Sequence, residues 1–165
     1  MKEQDFLTAY ELYSDALFRH CYFRIYDREK AKDMVQDAFV RSWEYISSGK
    51  EVLNLRAFLY RVLNNLVVDE IRRKKSLSLD ELTEGGYQAS DNRIGKTQVE
   101  LGAEAVNLMR SLSKMEEEKS QLLIMRFIDG LGPKEIAVIL EENENVVSVR
   151  LNRALKELRN IFNNG

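Results

Sequence analysis

Apolar residues recur every three or four positions through two long stretches of the chain, a spacing that predicts amphipathic helices. The first stretch runs from about Asp5 to Lys75 and is interrupted twice. One break falls near Tyr26, and the other covers residues 47–54, where Ser, Gly and a closing Asn54 predict a loop followed by a helix N-cap. We therefore predict a bundle of three or four helices. Its apolar positions are Phe6, Tyr10, Tyr13, Leu17, Met34, Val35, Ala38, Phe39, Phe58, Leu59, Val62 and Leu66.

The second stretch, from about Glu100 to Phe162, carries helix-ending and helix-starting residues in an informative order. Gly130 is typical of a helix end, Pro133 suits the first turn of the next helix, and Asn143 can cap a third. The apolar residues of that third helix fall on one stripe, at positions 147, 151, 154, 155, 158 and 162. Together these features predict a helix-turn-helix. Periodicity alone leaves a plain antiparallel bundle open as an alternative.

Residues 76–104 separate the two stretches and differ from both in composition. They are polar and acidic, with Gly85 and Gly86 in the middle, which is typical of an interdomain linker. The chain is therefore predicted to be all-α. It would have two small helical domains, over residues 1–75 and 105–165, joined by a flexible linker.

The overall composition agrees with a soluble helical protein, because 44% of the 165 residues are apolar, 32% are charged and only one is proline. No apolar run approaches the roughly 18 residues that span a bilayer. The first residues also lack the basic and then apolar order of a secretion signal. We therefore predict a cytoplasmic protein that has no membrane partner.

Cys21 and His20 are each the only residue of their type, which excludes an intrachain disulfide and a His–Cys metal cluster. Both are predicted to be ordinary helix residues. No His, Cys or carboxylate pair has the neighbours that acid–base or metal chemistry needs. The sequence therefore predicts no enzyme activity, no metal and no cofactor.

The net charge is −2, but the charged residues are distributed unevenly along the chain. Residues 1–75 hold 14 Lys or Arg against 12 Asp or Glu, residues 76–109 hold 2 against 6, and residues 110–165 hold 9 against 9. A protein that binds nucleic acid alone usually has a stronger basic excess. If this chain contacts DNA, a partner is expected to supply part of the affinity.

The segment NNLVVDEIRRKK, residues 64–75, combines a helical pattern with a cationic end. On a helical wheel Asp69 falls between Phe58 and Val62, at the edge of the apolar arc. A carboxylate there needs a partner, and Arg72 or Arg73 is within reach one turn later. The remaining cations are predicted either to be a solvated helix face or to lie along a nucleic-acid backbone.

Three segments resemble the bacterial extracytoplasmic-function sigma factors, which are promoter-specificity subunits of RNA polymerase. Region 2 of that family is similar to DMVQDAFVRSW, residues 33–43, and to LRAFLYRVLNNLVVDEIRRKK, residues 55–75. Region 4 is similar to GLGPKEIAVILEENENVVSVRLNRALKELR, residues 130–159. The resemblance extends over nearly the whole chain, and it implies two partners: core RNA polymerase and promoter DNA. An anti-sigma factor is a further candidate partner, since many relatives have one.

The resemblance also implies a role for particular residues. Asp33, Gln36 and Asp37 would bind the polymerase clamp, whereas Phe39 and Trp43 would hold the bundle together. The loop at residues 47–54 would capture an unstacked base of the minus-10 element, and the following helix would engage the same element. The implied minus-10 contacts are Ser48, Lys50, Asn54, Arg61, Asn65, Arg72, Arg73 and Lys74.

The helix from Glu144 to about Asn160 would read the minus-35 element in the major groove. The residues on its face opposite the apolar stripe, or flanking that face, are Asn145, Val146, Ser148, Val149, Asn152, Arg153 and Lys156. The sequence departs from the family at the preceding turn, where Glu141 replaces the usual Gly and Glu142 an apolar residue, and Ser148 replaces a usual cation. The acidic turn predicts minus-35 recognition that is weak, unusual in sequence or dependent on polymerase.

Two other functions remain open from the sequence. A stand-alone helix-turn-helix regulator would bind duplex DNA without polymerase, usually as a dimer on two half-sites. A sigma-like adaptor would bind polymerase or a regulator but no promoter, which the acidic turn suggests. The sequence leaves the relative orientation of the two domains undetermined.

Overall fold

A computed structural model describes residues 2–80 and 102–164, and every regular element in them is helical. The predicted all-α class with two helical domains is confirmed. The elements are α1 (Glu3–Ile25), α2 (Arg28–Ser47), α3 (Leu55–Asp80), α4 (Ala103–Ser113), α5 (Glu117–Leu123) with a π-helical turn (Ile124–Ile128), α6 (Pro133–Leu140) and α7 (Glu144–Asn164). In these described residues no helix is long and apolar enough to cross a membrane.

The first domain is a bundle of α1, α2 and α3, and its breaks fall where the sequence predicts them. Tyr26 ends α1 in the left-handed conformation, with φ of 58°. Asp27 caps α2, because its Oδ1 accepts a hydrogen bond from the Lys30 backbone N–H at 3.1 Å. Asn54 caps α3 in the same way, accepting from the Ala57 N–H at 3.0 Å. Local side-chain chemistry thus sets both turns.

Aromatic rings connect α1 to α2 in this bundle. The Phe6 ring lies 5.9 Å from Phe39 in an edge-to-face arrangement and 5.0 Å from the Trp43 ring. Phe39 is buried and Trp43 is half-buried. The prediction that these two aromatic residues hold the bundle together is confirmed.

The buried face of α3 differs from the predicted one. Phe58, Val62 and Leu66, which belong to the predicted arc, are only half-buried. The helix contacts α1, α2 and α6, so its buried surface extends around a flank that counting apolar residues omits. The residues of α3 that are buried are Ala57, Leu59, Tyr60, Leu63, Asn64 and Val67.

The prediction that Asp69 is the carboxylate of α3 at the edge of the bundle is also wrong. Asp69 is exposed, and the adjacent Glu70 occupies the edge of the bundle. Glu70 accepts hydrogen bonds from the Arg73 guanidinium, the closer at 2.8 Å, and lies 3.0 Å from Nζ of Lys30 on α2. The buried face of α3 is rotated about the helix axis relative to the predicted one. Glu70 therefore points toward α2, and Asp69 points toward solvent.

The second domain contains the predicted helix-turn-helix. Gly130 has a φ of 72°, Pro133 begins α6, and the Asn143 side chain accepts from the Asn145 N–H at 2.8 Å at the start of α7. Val147 and Leu151, in the apolar stripe of α7, are buried. Residues 141–143 form the tight connection between the two helices. The prediction is therefore confirmed over the alternative of a plain bundle.

The helix α3 continues to Asp80, five residues beyond the predicted end of the first domain at residue 75, and α4 begins at Ala103. Most of the predicted linker, residues 81–101, lies outside the described residues. The two domains pack against each other, since α1 and α3 contact the π-helical turn and α6. One apolar core contains residues of both domains, among them Leu17, Tyr60, Leu63, Leu122, Met125, Leu131 and Ile136.

Candidate polymerase and nucleic-acid surfaces

The predicted polymerase contacts form one face of α2. Asp33 and Gln36 are exposed, and Asp37 is half-buried and accepts a hydrogen bond from Nε of Arg41 at 3.2 Å. These positions are three and four residues apart, so they are neighbours on the helix surface. Val40 continues the same face and is 54% exposed. The face is polar, acidic and accessible, with an exposed apolar residue at one end.

The predicted base-capturing loop is lined on one side by aromatic rings. Nζ of Lys50 lies 4.8 Å from the centre of the Tyr45 ring, and the Tyr45 and Phe58 rings are 4.9 Å apart. Ser48, Lys50 and Asn54 are all exposed. The surface depression here is lined by Tyr45, Glu51, Val52, Leu53, Asn54, Ala57, Phe58, Arg61 and Val138.

The sequence did not identify the aromatic residues Tyr45 and Phe58 as part of this surface. Periodicity assigns Phe58 to the core, and Tyr45 lies in the last turn of α2, outside the apolar pattern. An aromatic residue on each side of a predicted loop is the signal that could have found them. A solvent-accessible aromatic pair beside a cation can stack an unstacked base.

The polar residues of α3 separate into two groups. Arg61, Asn65 and Arg72 are exposed and, being four and seven residues apart, share one outward stripe. Arg73 instead lies at the edge facing α2, in its ion pair with Glu70. The hydrogen bonds from Arg73, followed by those from Lys30, lower the pKa of Glu70 from 4.5 to about 2. Lys74 is half-buried.

Asn64 and Asn65 illustrate how adjacent amides have different roles. Asn65 faces solvent, whereas Asn64 is buried and accepts a hydrogen bond from Nη1 of Arg24 on α1. Burial without a hydrogen bond would be costly, and this contact satisfies the Asn64 carbonyl oxygen. Of the two, only Asn65 is therefore available to a ligand of the outward stripe.

The predicted reading face of α7 is exposed almost throughout. The one exception is Ser148, which is half-buried beside the stripe that packs on the domain. Val146 and Val149 are 44% and 49% exposed, so apolar contacts are available among the polar ones. The exposed predicted residues are Asn145, Val146, Val149, Asn152, Arg153 and Lys156.

The carboxylates of the acidic turn before α7 have partners within the chain. Both oxygens of Glu142 accept from Nη1 of Arg150 at 2.8 Å, within the same domain. Glu141 instead pairs with Nη2 of Arg61 on α3, in the other domain. Since a salt bridge neutralises much of a carboxylate's field, the turn repels phosphates less than its sequence suggests.

A buried polar contact lies between the domains. Nδ1 of His20 is 2.7 Å from Oδ2 of Asp129, and both side chains are fully buried. Arg24 donates to Glu117 through Nε at 3.1 Å, and Nη2 of Arg56 donates to the Asp129 carbonyl at 3.4 Å. Burial raises the pKa of Asp129, an effect that the His20 charge and hydrogen bond oppose.

His20 is a buried residue of α1, as predicted, and its ring also makes an interdomain contact that the sequence does not indicate. The corresponding prediction for Cys21 is confirmed. Its thiol is buried against Met34, and burial raises the pKa of Cys21 to about 12. In the described residues, no group of three or more His, Cys, Asp or Glu is arranged to hold a metal ion.

Comparisons with known proteins agree with this arrangement of domains. The Sigma-70 region 2 family matches residues 9–77, and the Sigma-70 region 4 family matches residues 105–158. The ECF RNA polymerase sigma factor SigW of Bacillus subtilis (strain 168) is 25% identical over 95% of this chain and 89% of its own length. The chain is an extracytoplasmic-function sigma factor. The RNA polymerase sigma factor YlaC of the same organism is 26% identical over 96% of this sigma factor and 93% of its own length.

Solved structures show the same fold. The sigma factor RpoE, in complex with the anti-sigma factor NepR from Bartonella quintana, has a TM-score of 0.74 at 18% identity. The likeness covers 97% of this sigma factor and 98% of that chain. CnrH, in complex with the cytosolic domain of CnrY, has a TM-score of 0.71 at 20% identity over 98% and 90% of the two chains. At these identities the likeness concerns the fold.

Proposed function

We propose that this sigma factor binds core RNA polymerase through the outward face of α2 and directs initiation at promoters through α3 and α7. The observation that carries this proposal is the outward stripe of Arg61, Asn65 and Arg72 beside the Tyr45–Phe58 aromatic pair. Cations on one side of a stacking surface suit a single strand, whose phosphates and bases lie on opposite edges. A helix that only packs a core has no use for that combination.

The minus-10 element would be bound as a melted strand. An extruded base would stack in the depression beside Tyr45, while Lys50 and Arg61 contact phosphates on either side of it. The outward amide of Asn65 would contact a base edge or a phosphate farther along α3. Arg72 extends the phosphate contacts, and Arg73 and Lys74 contribute mainly to the field of the helix end.

The minus-35 element would be read as a duplex by α7. Asn145, Asn152 and Arg153 carry the donors and acceptors that base edges or phosphates require, and Lys156 suits a phosphate. The exposed Val146 and Val149 would contact thymine methyl groups. The pairing of Glu142 with Arg150 keeps one of the turn's carboxylates from opposing the phosphates.

This function places the protein in the cytoplasm with the polymerase and assigns it a binding role, with no catalysis of its own. Of the solved structures named above, RpoE is a sigma factor in complex with an anti-sigma factor, and CnrH is in complex with the cytosolic domain of CnrY. An anti-sigma factor is therefore also proposed as a partner of this chain. Such a partner would act by covering the α2 face or the α3 stripe.

Run-off transcription with core RNA polymerase over a promoter library tests the function. Transcripts that start only when this protein is added, at sites sharing a minus-10 sequence, are the expected result. Active core that produces no specific start would contradict the proposal. Tight binding to a duplex without polymerase would favour a stand-alone regulator, and polymerase binding without any start site would favour an adaptor.

A further inference from the structure

Glu141 has an unusual backbone conformation at the end of α6. Its φ of 57° and ψ of 44° lie in the left-handed region, where a side chain is disfavoured and glycine is typical. A glutamate occupies this position, although glycine would adopt the same backbone conformation at less cost. A strained residue is retained when its side chain contributes something that glycine lacks, so the contacts of its carboxylate are informative.

The Glu141 carboxylate crosses to the other domain. It pairs with the Arg61 guanidinium on α3, 80 residues earlier in the chain. Glu135, six residues before Glu141, lies 3.8 Å from Nε of Arg56. Arg56 is five residues before Arg61 on α3. Two carboxylates of α6 thus face two cations of α3. Val138, between them, lines the same depression as Tyr45 and Asn54.

The surface that α6 covers overlaps the surface proposed to bind the minus-10 strand, at Arg61 and at the depression beside Tyr45. A guanidinium that bonds a carboxylate is not free to bond a phosphate, because both ligands use the same N–H donors. The side chain of Val138 also occupies space next to the aromatic pair. Packing of the two domains therefore opposes DNA binding in two ways. The carboxylates bond the cations that phosphates would use, and Val138 fills part of the space that a base would use.

The exposed and the buried contacts between the domains have different roles. Arg61 and Glu141 are 45% and 66% exposed, so their attraction is screened by solvent and salt and is weak. The fully buried His20–Asp129 contact and the shared apolar core are what hold the domains together. When the domains are packed together, the exposed pair instead determines whether Arg61, in the N-terminal part of α3, is available to DNA.

We propose that the acidic side of α6, Glu135 and Glu141, is an internal competitor of promoter DNA for the N-terminal part of α3. The competitor is this chain's own second domain, and it leaves α3 when polymerase draws the two domains apart. The inference rests on the proposed function, because it takes Arg61 as a minus-10 contact. It gives the carboxylate of Glu141 a function that glycine would lack at this strained position.

A double-mutant cycle on free protein tests the competition. The probe is fluorescein-labelled random-sequence single-stranded DNA, titrated at low salt and followed by fluorescence anisotropy. Glu141→Gln is expected to tighten binding by about two- to five-fold, the range for an exposed ion pair. In the Arg61→Ala background the same substitution is expected to have no effect. An equal gain in both backgrounds, or no gain in either, would overturn the inference.

Glu142→Gln is the matched control, since it removes the same charge one residue away but from a pair within its own domain. Its effect on DNA binding should be the same with and without Arg61. Glu141→Gly is a second test that does not depend on a strained side chain. It should tighten DNA binding as Glu141→Gln does and also raise the melting temperature, because glycine relieves the strain. Weaker binding by this variant would contradict the competition.

Thermal unfolding of wild type, Arg61→Ala, Glu141→Gln and the double variant separates failure of the inference from failure of the proposed function. A non-additive change in melting temperature for Arg61 and Glu141 is expected if they contact each other in solution. Additive changes, together with loss of DNA binding in Arg61→Ala, would overturn the inference and leave Arg61 as a DNA contact. If Arg61→Ala does not weaken DNA binding in the Glu141→Gln background, the minus-10 role of Arg61 fails, and the competition fails with it.

Discussion

Nδ1 of His20 lies 2.7 Å from Oδ2 of Asp129, with both side chains fully buried between the two domains. The His20 ring also packs edge-on against the Tyr60 ring, with 5.6 Å between the ring centres. Asp129 Oδ1 and the Tyr60 hydroxyl have no hydrogen-bond partner in the described residues. The contact is therefore polar, enclosed and only partly satisfied, which makes it sensitive to the loss of either partner.

Replacing His20 by leucine should strongly destabilise the closed protein. The substitution leaves the Asp129 carboxylate buried without its partner, which costs about 3–5 kcal/mol in comparable buried pairs. Urea denaturation followed by circular dichroism measures the change in the free energy of unfolding.

The double variant His20→Leu with Asp129→Leu is the control for that prediction. It removes the unpaired charge, so much of the lost stability should return. If the single and double variants lose the same stability, the cost arises from packing around the ring and not from the stranded carboxylate.

Glu70 should make stability depend on pH in the acid range. Its pKa is lowered from 4.5 to about 2 by Arg73 and Lys30, so the folded state favours the carboxylate more than the unfolded chain does. The stabilisation is then fully present above pH 4.5 and is lost as pH falls toward 2. We expect Glu70→Gln to lose about 1 kcal/mol or less at neutral pH, because both pairs are screened by solvent.

The difference between wild type and Glu70→Gln, measured by urea denaturation, should shrink steadily as the pH is lowered through that window. Asp69→Asn is the matched control, since Asp69 is the exposed neighbour on the same helix. A pH-dependent difference of the same size for Asp69→Asn would show that the effect belongs to the helix charge in general.

Charge reversal on α2 should weaken the binding of core polymerase without affecting the fold. Asp37→Lys changes the sign of a residue on the proposed docking face, and like charges brought together at an interface cost several kcal/mol. A loss of affinity of roughly ten- to hundred-fold is expected, with an unchanged helical circular dichroism spectrum. Asp15→Lys reverses an exposed charge on α1, away from the α2 face, and should bind normally. Loss of helicity in Asp37→Lys would mean that Asp37 is needed for structure.

Local features of this fold could be predicted from the sequence, because they depend on neighbouring residues. Asn54 and Asn143 cap helices where their position before an apolar pattern indicates, and Pro133 begins α6 as expected. The outward face of α7 follows from the spacing of its apolar stripe. Each of these inferences needs only the geometry of one helix.

Contacts between the domains could not be predicted in the same way. His20 and Asp129 are 109 residues apart, with the linker between them, so no periodicity relates them. The error in α3 has a related cause, because Tyr60 and Asn64 contact His20 and Arg24 of α1 on a flank that an apolar pattern omits. The pattern of apolar residues identifies the buried face of a helix that packs against a single neighbour. The helix α3 has three neighbours, and its burial reflects all of them.

The aromatic pair beside the loop should contribute to opening the promoter. Removing the Tyr45 ring eliminates one side of the proposed stacking surface, and stacking of a base on an aromatic ring is worth about 1–3 kcal/mol. Tyr45→Ala should therefore reduce promoter melting by roughly ten-fold or more, measured by permanganate reactivity of unpaired thymines in the holoenzyme complex. Tyr45→Phe keeps the ring and should melt the promoter normally. If Tyr45→Phe is as defective as Tyr45→Ala, the hydroxyl is what matters and stacking is not the mechanism.

Arg153 on α7 offers a test of sequence reading at the minus-35 element. Its exposed side chain lies on the face opposite the buried Val147 and Leu151, where a helix in the major groove would present it to base edges. Arg153→Ala should cost about 1–3 kcal/mol on the preferred promoter and relax the preference at one base position, as measured by run-off transcription over a minus-35 library. Arg159→Ala removes an exposed cation two turns later on the helix. It should weaken all promoters alike, because a contact to the phosphate backbone carries no sequence information. If Arg153→Ala also lowers every promoter equally, Arg153 binds phosphate, and recognition of the minus-35 bases must come from Asn145, Asn152 and the two exposed valines.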